Sequence, residues 1–249
     1  MIYASNVASY ILFADDTNLI FSHNNFEVLV RTINIELPKV ASWLNANKLS
    51  LNLNKTNYVI FRTPATNIHE CRITLFNKEL ERKSFVNFLG VFVDEFLNWD
   101  HHCKHLMLSI SRSIGMLNKL RYDLSRQTLL LLYNSLILSK LSYCNIMWGT
   151  TCKRNIDSIF ILQKRAIRIC SNSAYLAHTN PIFKSLNVLK ITDINVSQTA
   201  IFMYKLKINL IPLHLKTLFV RNNQIHNYQT RSSCKYHLSN PKTLLAQKS

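Results

Sequence analysis

Acid is scarce in this chain. It holds 13 Asp and Glu against 30 Lys and Arg, which leaves a formal net charge of +17. That imbalance points to a polyanionic partner, the alternative being a basic, soluble protein with no nucleic-acid role. Glycine and proline are few, 3 and 5, so long helices meet few interruptions. The six Cys, at 71, 103, 144, 152, 170 and 234, form no CxxC pair and fit no standard zinc spacing. Most lie in apolar segments, which suits small buried thiols in a reducing compartment. The amino terminus lacks a basic region followed by an apolar run, so no signal peptide is read there. The longest apolar run, 129–132, is short and is followed by Asn134, Ser135, Ser139 and Lys140, which argues for a buried helix rather than a membrane span. Apolar content is 48% of 249 residues, ample for a core in one or two domains and too high for general disorder.

The pattern changes along the chain. Segments 9–12 and 17–22 are β-rich and flank Ala14, Asp15 and Asp16, which predicts a hairpin with the acids at its turn and without the usual Gly. Apolar residues at three- and four-residue steps predict a helix over 26–47, capped by Asn24 or Asn25, with Pro38 as a break or kink. Strands are expected at 57–63, 73–76 and 85–93, the last containing Gly90, with a hairpin around Asn77 and Lys78. Past Asp94 strand signals nearly stop. Helices are expected at 100–122, 125–148 and 155–170, and in part of 181–210. The second carries a stripe of Leu129, Leu132, Leu136, Ser139 and Tyr143; the third turns Ile159, Leu162, Ala166 and Ile169 inward and Lys164, Arg165 and Arg168 outward. His101, His102, Cys103 and His105 read as a solvated first helical turn rather than a metal site. From Asn195 onward there is no acid but eight Lys or Arg.

The pair Asp15 and Asp16 raises the chemical question. A carboxylate buried among apolar residues costs several kcal/mol unless something compensates. Two hard carboxylates at a turn suit Mg²⁺, which takes few protein ligands and completes its shell with water and phosphate oxygens. Phosphoryl transfer at a polymer end uses two such ions about 4 Å apart. By itself the pair is also satisfied by a plain Asp-Asp turn.

Four ordered landmarks carry a resemblance. Tyr10-Ile11-Leu12-Phe13-Ala14-Asp15-Asp16-Thr17 resembles the catalytic box of the reverse transcriptases of non-LTR retrotransposons, the LINE-like and Jockey-like elements of animals. Residues 37–61, with Asn54-Lys55-Thr56, are similar to the helix, loop and strand that follow that box. Residues 85–106 resemble the primer-grip hairpin and its exit into the thumb. Trp148-Gly149 and 162–168, LQKRAIR, look like landmarks of the helices beyond, and a weaker likeness continues through 202–205 and 228–232.

The resemblance implies an α+β fold: the carboxy-terminal part of a right-hand polymerase palm, an antiparallel sheet with a helix, followed by an all-helical thumb-like region. The implied domains are a partial palm at 1–97, a helical thumb-like region at 98–175, and a basic helical extension with a poorly ordered tail at 176–249. It makes Asp15 a metal ligand, with Asp16 a second ligand or a holder of site geometry, and Mg²⁺ the cofactor. Phe13 would line the primer end, and Leu89 and Gly90 would support the primer backbone. Gly90 is read either as permitting close backbone approach or as a bulge. Lys55 is read either as a cation for the incoming triphosphate or as a solvated loop lysine. Lys164, Arg165 and Arg168 either track template–primer phosphates or form a solvated basic face. The implied partners are an RNA template, a DNA primer and dNTPs, with no membrane, in an intracellular setting that is nuclear during integration.

One part of the pattern is missing. The family needs a further Asp on a preceding palm strand, and none precedes Asp15 here. Asp94, Asp100, Asp123, Asp157 and Asp193 fall in the grip-hairpin exit or in helices. The expectation is therefore a carboxy-terminal polymerase half that is inactive alone, with a non-catalytic nucleic-acid-binding protein of the same descent as the alternative.

Overall fold

The computed structural model describes residues 7–66, 68–225, 228, 231 and 235–237. The opening MIYASN, Gln229, Thr230 and Ser232 of the weaker likeness, Cys234 and the end of the tail from 238 lie outside the described residues. The chain forms two compact units, Met1–Leu97 and Asn98–Ser249. The architecture is mixed α+β, with several short sheets in the first unit and a helical bundle in the second.

In the first unit, β1 (Ser9–Phe13) and β2 (Asp16–Ile20) form an antiparallel hairpin with Phe13 opposite Asp16. Helix α1 (Phe26–Ala46) is capped by Asn25, whose side chain accepts a hydrogen bond from the Val28 amide at 3.1 Å. Pro38 does not break it. The buried face Leu37, Val40, Ala41 and Leu44 surrounds the proline, and that packing holds the helix across the missing backbone donor. Six short strands follow: β3 (Asn57–Tyr58), β4 (Thr74–Leu75), β5 (Lys78–Glu79), β6 (Glu81–Arg82), β7 (Phe85–Phe88) and β8 (Val91–Asp94).

The strands differ from expectation in extent and pairing. Segment 57–63 keeps only two strand residues, and these pair in parallel with β6. Segment 73–76 closes its own hairpin with β5, turning at Phe76 and Asn77, both at positive φ (50° and 57°). Segment 85–93 is a second hairpin, because Leu89 and Gly90 turn between β7 and β8. Four two-stranded sheets result among the described residues, where one antiparallel sheet was expected. Side chains bind them together. Asn34 of α1 donates to the Arg72 carbonyl (2.9 Å) and accepts from the Thr74 amide (3.2 Å), while Arg62 and Arg82 converge on Glu95. The core of this unit is a small cluster: Leu37, Ala41, Ile73, Leu75 and Leu80.

The second unit consists of α2 (Asp100–Leu120), α3 (Arg126–Tyr133), a π-helical turn (Asn134–Leu138), α4 (Ser139–Ser142), α5 (Asn145–Trp148), α6 (Lys153–Cys170), α7 (Thr179–Ser185), α8 (Ile191–Lys207), α9 (Leu213–Lys216) and a 3₁₀ turn (Asn222–Gln224). Ser125 caps α3 by accepting from the Thr128 amide at 3.2 Å. The expected single helix over 125–148 is interrupted twice, by the π turn and at Cys144, whose φ is 49°. The Tyr143 carbonyl freed at this second break accepts a bond from the Trp148 indole at 2.8 Å. The buried stripe is Leu129, Tyr133, Ile137 and Leu141, not the expected Leu129, Leu132, Leu136, Ser139 and Tyr143. Steps of four match one face only when the helix widens, as it does across the π turn. At Gly149 an added Cβ would fall within 3 Å of both Asn145 and Asn195, so this approach of α5 to α8 requires glycine.

Helix α6 runs through the centre of this unit and packs against α2, α3, α7 and α8. Its Gln163 is fully buried and fully used. Nε2 donates to the Tyr133 hydroxyl and the Leu189 carbonyl, and Oε1 accepts from the Ile191 amide, each at 2.9 Å. This polar hub joins three segments inside an apolar core, and an apolar-periodicity reading passes over it.

Candidate functional site

The chain folds its acid pair onto the tip of the β1–β2 hairpin. Ala14 and Asp15 form the two-residue turn, and Asp16 begins β2. Ala14 has φ 51°, the left-handed conformation that primed hairpin turns demand and that glycine usually supplies. Both carboxylates are exposed, so the expected burial problem does not arise. Among the described residues neither takes part in an ion pair or a side-chain hydrogen bond. The apolar neighbours are exposed instead: Ile11, Leu12, Phe13 (60%) and Ile20. Since successive strand residues face opposite ways, Leu12 and Phe13 leave both faces of the hairpin apolar near the acids.

The other expected site residues are dispersed. Lys55 is exposed in the turn before β3, and no ion pair joins it to Asp15 or Asp16. Its neighbour Asn54 accepts a 2.7 Å bond from Lys78. Leu89 (φ 49°) and Gly90 (φ 84°) are the two central residues of the β7–β8 hairpin, and the Gly90 amide donates to the Asn87 side chain at 3.0 Å. Gly90 is thus explained by the positive φ of the turn rather than by a bulge. Lys164, Arg165 and Arg168 lie within one arc of about 100° on α6 but differ in exposure. Lys164 and Arg168 are half-buried, the ammonium 4.2 Å from the centre of the Phe160 ring and the guanidinium Nε donating to the Ala177 carbonyl at 2.9 Å, whereas Arg165 is exposed. Lys190 and His178 line the same recess as Lys164 and Arg168. They come from other segments, so the periodicity of one helix does not reveal them.

Two acids considered as a third carboxylate are already engaged. Asp94 is buried at the end of β8, its Oδ1 accepting from the Phe96 amide (3.1 Å), and Asp100 accepts from Asn155 (2.7 Å) in the first turn of α2. Among the described residues no group of three or more His, Cys, Asp or Glu is placed to hold a metal ion. The donor chemistry of Asp15 and Asp16 fits one hard cation that draws its remaining ligands from water and phosphate; it does not fit a two-ion centre held by these residues alone. The His101–His105 turn is solvated only in part, with His101 and His105 exposed. His102 and Cys103 are buried, His102 beside the Trp148 ring at 5.5 Å. Burial, with a smaller contribution from His105, lowers the His102 pKa from its ordinary 6.5. Burial pushes the Cys103 thiol up to about 12 and Cys170 up to about 11. Cys152, by contrast, is exposed.

Comparison with known proteins adds a relationship. Over 182 residues the chain is 25% identical to a probable RNA-directed DNA polymerase from transposon BS of Drosophila melanogaster, an alignment covering 71% of this chain and 20% of the relative. This chain is a distant relative of that polymerase. It spans about a fifth of the relative's length. No family model matches the chain, and no solved structure does. Among the described residues no helix is long and apolar enough to cross a membrane.

Proposed function

We propose that this chain is the palm-end and thumb-like portion of an RNA-directed DNA polymerase, and that its own activity is to bind nucleic acid. The observation that carries this reading is the distribution of charge. Residues 1–97 contain nine Lys and Arg against nine Asp and Glu, whereas residues 98–249 contain twenty-one against four. A helical unit so strongly cationic suits the phosphates of a template–primer duplex, with Arg165 among the exposed cations. The distant kinship to a transposon polymerase supports the same partner.

In this reading Asp15 and Asp16 are the chain's share of a polymerase metal site. Mg²⁺ at that site would neutralise the phosphates of an incoming nucleotide. Asp15 would hold the ion, Asp16 would hold the turn or a second position, Phe13 would sit beside the primer end, and Lys55 would face the triphosphate. Leu89 and Gly90 would carry the primer backbone on the second hairpin. The shortfall of carboxylates favours a nucleic-acid-binding role without catalysis for the chain by itself.

Fluorescence anisotropy with an RNA–DNA template–primer tests the binding. Affinity is expected to fall steeply and linearly in log–log form as salt rises. Absent or salt-independent binding would remove the reading. Primer extension with Mg²⁺ and dNTPs tests the second part: no product is expected from the chain alone, and a template-dependent product would establish a complete active centre.

A further inference from the structure

Between α6, the segment that follows it, α7 and the start of α8, the helical unit leaves a cleft of about 480 Å³. Lys164, Arg168, His178 and Lys190 line it, with Phe160 and Leu176 as apolar wall. Lys164, Arg168 and Lys190 are half-buried, yet among the described residues no carboxylate pairs with any of them. Drawing cations together and partly out of water without a counter-charge is unfavourable, and an anion in the cleft would relieve it. Two of the three are held in place, Lys164 over the Phe160 ring and Arg168 by its bond to the Ala177 carbonyl. That bond uses only Nε and leaves the two terminal guanidinium nitrogens to a ligand. Lys190 is the cap residue of α8, a 17-residue helix whose amino end adds partial positive charge. Asp193, the acid nearest to it in sequence, is not among the residues lining the cleft.

We propose that this cleft takes a phosphomonoester dianion, namely the terminal phosphate of a nucleic-acid strand. The inference rests on the nucleic-acid reading above and narrows it. A strand running past a protein presents singly charged diesters to an open surface. A terminal monoester carries about −1.5 to −2 charges at neutral pH, which matches several cations converging in one recess. The Phe160 and Leu176 wall offers apolar surface to the attached nucleoside.

The test compares oligonucleotides of one sequence with 5′-hydroxyl, 5′-phosphate and 3′-phosphate ends against the full chain by anisotropy at fixed salt. One phosphorylated end is expected to bind about tenfold more tightly than the hydroxyl form, the worth of one or two charge-assisted hydrogen bonds. Lys190→Gln is expected to bring that ratio close to one. The Lys190 side chain makes no capping bond, so its removal spares the fold. Arg165→Gln, outside the cleft, should weaken all three ligands alike and leave the ratio standing. Equal affinity for all ends would overturn the proposal while leaving nucleic-acid binding intact. If no oligonucleotide binds, the nucleic-acid reading falls, and a nucleoside 5′-monophosphate titrated against its nucleoside decides the cleft: a comparable preference sustains a phosphate site, and none removes it.

Discussion

The two units distribute core and charge in unlike ways. The first balances nine cations with nine acids and buries a cluster of five apolar residues. The second carries the whole net charge of the protein and buries a cluster of nineteen. Charge and a deep core are therefore compatible, provided a long helix separates them. On α6, Ile159, Ala166 and Ile167 face inward while Arg154 and Arg165 lie exposed, a division that three-and-a-half turns or more make easy. Strands of two residues cannot sort their side chains in this way, and the β1–β2 hairpin leaves Leu12 and Phe13 in solvent. The unit that carries Asp15 and Asp16 is thus the one with less of its own packing.

Substitutions can break this contrast from either side. The largest effect is expected from Gln163→Leu, which leaves the Tyr133 hydroxyl and the Ile191 amide buried without their partner. A loss of about 3–5 kcal/mol should appear in urea unfolding followed by helical circular dichroism. Hydrogen exchange should quicken in α6 and α8 while α1 keeps its protection; equal quickening in both units would mean they do not unfold separately. Next comes Gly149→Ala, whose methyl group would strike Asn145 and Asn195, for a cost of about 1–3 kcal/mol in the same assay.

A smaller effect is expected from pH. Burial first, and His105 second, lower the His102 pKa in the folded chain. The unfolded chain then takes up the proton first as pH falls, so this contribution is complete above about 6.5 and is lost progressively on acidification below it. The slope is at most about 1.4 kcal/mol per pH unit for one proton, and His102→Gln should remove it from the pH profile of the unfolding midpoint. The smallest effect belongs to Asp15→Asn and Asp16→Asn. Both side chains are exposed and support no other group, so stability should stay within about 0.5 kcal/mol. A larger loss would show that the acids hold the fold rather than a ligand.

The legible parts were those written in local chemistry. Asn25, one of two candidate caps, announced a helix start, and the β-rich segments on either side of Asp15 and Asp16 announced a hairpin. Pro38 did not end its helix, because the surrounding buried face carries the helix across the proline. Gly90 was misplaced within a strand, because its neighbour Leu89 shares the positive φ without being a residue that signals it. For the candidate site, the adjacency of Asp15 and Asp16 was visible at once. The half-burial of Lys164 and Arg168 beside an exposed Arg165 was not, nor was the meeting of those two with Lys190 from another helix. Gln163 escaped notice because a lone polar residue in an apolar stripe reads as an interruption until its three partners are seen.

The π turn at Asn134–Leu138 has a consequence for how this chain can change length. From Leu129 to Leu141 there are twelve steps, where three turns of ordinary helix at about 3.6 residues each take closer to eleven. The widened turn absorbs the surplus and keeps both leucines in the core. One residue could be deleted there and the flanking helices would remain in phase, joined by regular α-helix. The same deletion in the middle of α6 has no such reserve, and every later side chain on that helix would swing by about 100°. The bundle thus holds one site where an indel is absorbed in place, next to a central helix where the same event would scramble the core.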